Sequence, residues 1–278
     1  MIAASIVIPA HNEQSTIMRL LDALTTDTAT GEFEVLVVCN GCTDRTADVA
    51  RGYGPAVRVV ELERPSKREA MLRGDQEATA FPRVYVDADV VIDAAGVRSL
   101  LGVLGGPVLA AAPTRILARD RVGHLVRAYY DVWEQLPQVR AALVGRGVVA
   151  VSRAGHERIG TLPPVMSDDL AIAAAFGDDE RLIVHDAHVV IWPPRTLRDL
   201  LRRRIRVNTG NAQLNPTPGL KTSPRTLVRM ARAQPGLILK LPVCLGVAIA
   251  SRTAAQRRIS RGDFDTWLRD ESSRQRTS

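Results

Sequence analysis

The first third of the chain alternates β-branched runs with amphipathic ones, and this rhythm constrains the fold more than any other feature. Ser5 to Pro9 reads as a buried strand stopped by its proline. Ser15 to Leu24 places Ile17, Leu20, Leu21 and Leu24 at helical spacing, with Asn12 or Ser15 as the cap. Val35 to Cys39 is a second strand and Asn40-Gly41 a turn. Thr43 or Asp44 then starts a helix over Arg45 to Arg51. Val57 to Leu62 is a third strand, Arg68 to Ala80 a helix, and a fourth strand from Val84 runs into Asp87-Ala88-Asp89. Strands and helices joined by such short connections predict a parallel sheet wrapped by helices.

The fourth strand ends in two carboxylates one residue apart. In a strand, residues i and i+2 face the same way, so Asp87 and Asp89 are predicted to present oxygens toward one spot. Ligands of open α/β sheets bind beyond the carboxyl ends of strands, and hard divalent cations take oxygen ligands. A metal-diphosphate seat is therefore one reading; two solvated carboxylates opening a turn is the other. No Gly-x-Gly-x-x-Gly and no P-loop glycine-lysine pattern is present, so dinucleotide and P-loop chemistry have no support.

After residue 95 the rhythm changes. Val108 to Ile116 reads as a strand, and Arg121 to Gln135 as a helix with Leu125, Ala128, Tyr129, Val132 and Trp133 inward. Val144 to Val151 is a glycine-led strand in which Gly145 and Gly147 permit close approach of a ligand or simply form a bend. Ser167-Asp168-Asp169 precedes an apolar helix, and the second carboxylate exceeds what capping needs. Ile183 to Ile191 is a strand, and its His185 and His188 read as packing residues or as extra metal ligands. Leu197 to Val207 is a basic helix whose Arg202 to Arg204 run is most simply a solvated face.

The formal charge is +7, concentrated in the last third, which suits phosphates, nucleic acid or an anionic membrane. Aromatics at 4% argue against single-strand base stacking. The three cysteines form no disulfide framework; Cys39-x-x-Cys42 reads as one strand and one loop cysteine rather than a redox pair. No secretory signal is visible, so a reducing cytoplasm is expected. The apolar run Leu237 to Ala250 is shorter than the about 20 residues a spanning helix needs, and Lys240 and Pro242 interrupt it. With basic flanks it fits a membrane-resting segment or a helix packed on the domain.

Ile6 to Glu13, Val37 to Thr46, Asp87-Ala88-Asp89, Asp168-Asp169-Leu170 and Arg204-Ile205-Arg206 together resemble the family 2 glycosyltransferases. The resemblance covers roughly residues 5 to 211, as a set of five motifs in order. It implies a GT-A-type α/β fold, Rossmann-like, with a nucleotide-sugar-binding half over 1–95 and a mixed-sheet acceptor half over 96–215. A basic, partly apolar helical appendage follows over 216–278. Carried over by position, Pro9, Ala10, His11 and Glu13 would line the nucleotide pocket, Asn40 would face the base, and Asp44 would share its loop. Lys67, Arg73 and Gly74 would contact nucleotide or sugar, Asp87 and Ala88 the ribose side, and Arg206 the diphosphate. Asp89 would ligate Mn²⁺ or Mg²⁺, Asp169 would be the general base with Asp168 beside it, and Gly145, Arg146 and Gly147 would meet the acceptor.

Two departures bear on specificity. The family's Asp-Asp-Gly-Ser loop is here Cys39-Asn40-Gly41-Cys42, which leaves UDP, GDP and dTDP open as donor nucleotides. Val207 follows Arg206 where processive synthases carry tryptophan, so a non-processive enzyme is expected. The resemblance thus implies metal-dependent, inverting transfer of a sugar to a lipid-linked or small-molecule hydroxyl. Its place would be the cytoplasm or the inner face of the cell membrane. Two rivals remain: a sugar-nucleotide nucleotidyltransferase, which wants glycines after the first strand, and a basic nucleic-acid-binding module, which wants a recognisable reader motif.

Overall fold

The computed structural model describes residues 2–143, 145–161, 172, 174–211 and 223–261. Its strands are β1 (Ala4–Ala10), β2 (Phe33–Asn40), β3 (Val57–Leu62), β4 (Arg83–Val86), β5 (Val90–Val91), β6 (Ala110–Leu117), β7 (Val148–Val151) and β8 (Arg181–Ile191). They form one sheet in the order β3-β2-β1-β4-β7-β6-β8-β5. The expected parallel block is present: β1 pairs in parallel with β2 and β4, and β2 with β3. Its connections are the helices α1 (Ile17–Thr25), α2 (Thr46–Arg51) and α3 (Lys67–Glu77).

Proline does not stop β1. Pro9 still pairs with Val38 of β2, but it lies beyond the last β1–β4 pair, Val7 with Tyr85. There the sheet splits, and a residue without an N–H is tolerated at such an open edge. The apolar stripe of α1 is as expected, with Ile17, Leu20, Leu21 and Leu24 buried, although Thr16 holds the cap position. On the other face α3 lies directly on β1. A Cβ at Gly74 would come within 2.3 Å of Val7 Cγ1, so glycine here is a packing requirement.

The second half of the sheet is mixed. β7 enters antiparallel between β4 and β6, while β6 and β8 run parallel with a register shift between Pro113 and Thr114. The strand expected from Val144 begins only at Val148, because the glycines before it form a loop. Val90 and Val91 do not prolong β4; as β5 they pair antiparallel with β8 at the far edge. Two helices, α4 (Ala94–Val103) and α5 (His124–Trp133), follow β5 and β6, and the short α6 (Pro137–Ala141) and α7 (Arg153–Gly160) flank β7.

Beyond the sheet, α8 (Leu197–Asn211), α9 (Pro224–Ala233) and α10 (Leu241–Ile259) form a helical layer against α5. This layer decides which face of α5 is inward. Val126, Tyr129 and Tyr130 pack with Leu200 of α8 and Val247 of α10, whereas Leu125, expected inside, is 51% exposed. Arg202, Arg203 and Arg204 are half-buried on α8 rather than forming a solvated face. The apolar run is not interrupted at Lys240 and Pro242: a 3-10 turn over Pro235–Lys240 leads into α10, whose proline occupies the first helical turn.

Candidate active site

Parallel strands point their carboxyl ends the same way, so the loops after β1, β2 and β4 converge. Asn40, at the end of β2, ties them together. Its amide donates to the Ala10 carbonyl at 2.8 Å, and its carbonyl accepts from Ser66 N–H at 3.0 Å. An amide can do both at once, whereas an ionised carboxylate has no donor for the Ala10 carbonyl. The side chain is buried, with both functions engaged in tying these loops together. His11 Nδ1 lies 2.7 Å from the main-chain carbonyl oxygen of Asn40, and Thr43 N–H donates to Asn12 Oδ1 at 2.8 Å.

Asp44 is engaged in the same way. Its carboxylate accepts from Gln14 N–H at 3.2 Å and from Thr46 N–H at 3.0 Å. The buried Glu13 accepts from the Thr16 hydroxyl at 2.6 Å, and its own N–H donates to Thr46 Oγ1 at 2.8 Å. Gly41 has φ +58°, and a Cβ there would sit 2.6 Å from Pro65 N, so the loop before α3 can close only over glycine. Both cysteines are free thiols; Cys42 Sγ accepts from Asn12 N–H at 3.4 Å, and a hydrogen bond from Cys39 favours its thiolate.

Asp87 and Asp89 lie in a turn past the end of β4, so the strand-face argument for their alignment does not apply. What orients Asp87 is its neighbours. Lys67 Nζ, at the first residue of α3, is 2.7 Å from Asp87 Oδ1, and Asp87 N–H donates to the Gly147 carbonyl at 2.7 Å. Gly147 has φ +67°, and a Cβ on it would meet Val90 Cγ1 at 2.7 Å and Asp87 Oδ2 at 3.3 Å. Lys67, Asp87, Gly145 and Gly147 line a recess of about 440 Å³, counting the part open to solvent, together with Pro9 and Tyr85. Tyr85 donates to Asp75 at 2.9 Å, and burial, then the Asp75 charge, pushes its phenol well up.

Among the described residues no three His, Cys, Asp or Glu side chains form a group able to hold a metal. Asp89, half-buried beside Asp87, fits a site in which substrate phosphates supply most ligands, because hard cations such as Mg²⁺ bind through one or two carboxylates. Val90 pairs with Ile191, so the register carries Asp89 toward position 192 and away from His188 and His185, both exposed.

Arg146 was expected at the acceptor, yet it is 3% exposed and donates to the carbonyls of Ala142, Pro113 and Arg140. Arg115, which no sequence pattern marked, donates to the Gly145 carbonyl at 2.9 Å and lies 4.5 Å above the Trp133 ring. Burial pushes both guanidiniums down to about 10, so they stay charged at neutral pH while fixing the Gly145–Gly147 loop. Arg73 is exposed on α3 and pairs with Glu77 at 2.7 Å, outside the recess. Arg206 is half-buried on α8. Asp168 and Asp169 lie outside the described residues.

The profile of glycosyl transferase family 2 matches residues 5–154, more than half of the 278-residue chain. The chain belongs to this family. Among relatives of this glycosyltransferase, AglE of Haloferax volcanii is 26% identical over 231 residues, covering 76% of this chain and 73% of that protein. Validoxylamine A glucosyltransferase of Streptomyces hygroscopicus is 34% identical over 118 residues, 41% of this chain but 25% of that protein. In three dimensions the chain is similar to a mannosyltransferase of Pyrobaculum calidifontis in complex with GDP-Man and Mn²⁺. The TM-score is 0.59 at 22% identity, covering 94% of this chain and 79% of that one. Glucosyl-3-phosphoglycerate synthase of Mycobacterium tuberculosis, in complex with Mn²⁺, UDP-glucose and phosphoglyceric acid, gives 0.55 at 25% identity, covering 79% and 82%. The fold is GT-A, and family membership sets aside the nucleotidyltransferase and nucleic-acid readings.

Proposed function

We propose that this glycosyltransferase moves a sugar from a nucleoside diphosphate to an acceptor hydroxyl in one metal-dependent, inverting, non-processive step. The observation that carries the reading is the Lys67–Asp87 pair at the converging ends of β1, β2 and β4, with Asp89 beside it and the Gly145–Gly147 loop closing the recess. Complexes of the similar enzymes with GDP-Man or UDP-glucose and Mn²⁺ support a nucleotide-sugar donor and a divalent cation. UDP, GDP and dTDP sugars are all compatible with the chain, as are Mn²⁺ and Mg²⁺.

Each residue then has a task. Ala10, His11, Glu13, Asn40 and Asp44 shape the nucleotide wall through the bonds described above, Pro9 lines the recess, and Ala88 backs it. Asp87, held by Lys67, takes the ribose side. Asp89 holds the cation, which when bound offsets charge on the departing diphosphate. Arg206 adds positive charge there. The acceptor oxygen bonds to the anomeric carbon as the bond to the diphosphate breaks, and its proton passes to Asp169, with Asp168 alongside. A single displacement inverts the anomeric carbon. The backbone of Gly145 and Gly147 borders the acceptor. The reaction belongs to the cytoplasm or to the inner face of the cell membrane.

Thermal shift with UDP-, GDP- and dTDP-sugars, each with Mn²⁺, Mg²⁺ or chelator, tests this reading, because a ligand of the folded state raises its stability. One nucleotide should give a metal-dependent shift that Asp89→Ala removes. A shift that persists with chelator and in Asp89→Ala would discard the metal.

A further inference from the structure

Between Ser223 and Arg261 the chain carries eight lysines and arginines and no carboxylate. Within this stretch Pro235–Ile259 form 25 continuous helical residues, long and apolar enough by composition to cross a membrane. One side of this rod is already occupied. Leu237 packs with Val132 and Leu136, and Val247 with Tyr129, Tyr130 and Leu200. Asn208 of α8 donates to Ser251 at 3.1 Å, and Lys240 Nζ lies 2.7 Å from Asp131 of α5. A helix fixed along one side to a folded, charged domain cannot be ringed by lipid, so this one has a single free face.

That face is apolar. Ile238, Leu239, Leu245 and Ile249 are exposed, Leu239 at 87%, as are Pro242, Gly246 and Ala250 beside them. Their spacing follows the helical period, so they make one stripe. The stripe turns basic at exposed Arg252 and Arg257, and the exposed side of α9, which adjoins the turn before α10, carries Arg225, Arg229 and Arg232. Apolar side chains bordered by cations, with no carboxylate in the segment, complement the surface of an anionic bilayer.

We propose that this stripe docks the enzyme in the plane of an anionic membrane leaflet. Ile238, Leu239, Leu245 and Ile249 enter the boundary between headgroups and acyl chains, and the arginines meet lipid phosphates. α8, which carries Arg206, packs directly on α10. On the glycosyl-transfer reading above, on which this clause rests, the acceptor is therefore a hydroxyl borne by a membrane lipid.

Co-sedimentation of the full chain with vesicles tests the docking, using phosphatidylcholine alone against an equimolar mixture with phosphatidylglycerol. Partition onto the anionic vesicles is expected, weakened by salt. The double variant Leu239→Ser, Ile249→Ser removes only exposed side chains, so its melting should match the parent while its partition falls about tenfold or more. Replacing Arg225, Arg229 and Arg232 by Gln should lower partition onto anionic vesicles on the order of a hundredfold. Absence of partition onto either vesicle overturns the proposal, as does partition unchanged in the Leu239/Ile249 variant. A dimer that this variant dissociates, without vesicle binding, would assign the stripe to a second copy instead. Donor binding by the same preparation separates the two readings: docking without donor binding leaves the surface and removes the lipid acceptor, and donor binding without docking does the reverse.

Discussion

The parallel block and the helical layer over α5 are held together by different means. In the block, loop polar groups close on one another: Asn40 bridges Ala10 and Ser66, and Asp44 bridges Gln14 and Thr46. The helical layer instead rests on apolar contacts to α5 and a few half-exposed ion pairs, chiefly Asp131 with Lys240 and Arg119. A site assembled from satisfied, mutually locking loops is preorganised for chemistry. A layer held on one face keeps its other face available to a partner.

The sharpest test of the contrast is chemical. On the proposed role of Asp89 as ligand of the cation, Asp89→Ala should lower glycosyl transfer by about a thousandfold or more, with a much smaller effect on the melting temperature of the unliganded protein. A substantial fall in stability instead would make Asp89 part of the locked framework. Next come the glycines. Gly74→Val drives a side chain into Val7 and should cost about 1–3 kcal/mol in denaturant unfolding. Gly147→Ala combines a left-handed backbone with the Val90 collision; about 1–3 kcal/mol is expected, together with weaker donor binding because Asp87 must move.

Asn40→Asp keeps the shape but removes the donor to Ala10, and unfolding should show about 1–3 kcal/mol lost. An unaffected protein would mean the clamp is dispensable. The smallest effect belongs to the helical layer. Burial alone would raise the Asp131 carboxyl, but hydrogen bonds from Lys240 and Arg119 and their charges outweigh it and hold it below the usual carboxylate range. A depressed pKa means stability present above the unfolded value and lost as pH falls through the folded one. Acidification below about pH 4, or Asp131→Asn, should therefore speed proteolysis around Pro235–Lys240, with under about 1 kcal/mol involved because the pairs are partly solvated, and the Asn variant should leave the parallel block intact.

Legibility in the sequence follows the same division. β1, β2 and α1 were readable because strands buried on both faces must be continuous apolar runs, and a helix on a sheet must show a stripe. Lys67 and Asp87 were both marked, though only folding brings them within 2.7 Å. Arg146 misled, because a charged residue between two glycines looks solvent-facing until the carbonyls that surround it are known. Arg115 left no signal at all, since its partner, the Gly145 carbonyl, lies thirty residues away.

The sequence by itself determined the alternating α/β order, the family motifs, and the basic charge of the C-terminal third, because periodicity, turn chemistry and composition are local properties. Tertiary structure alone decided that β5 leaves its neighbour β4 for the far edge of the sheet, that Asn40 is a clamp, and that α5 buries Val126 rather than Leu125. It also decided that the apolar tail has one occupied and one open face. Each of these depends on which distant surface a segment meets, and no local pattern encodes the identity of that partner.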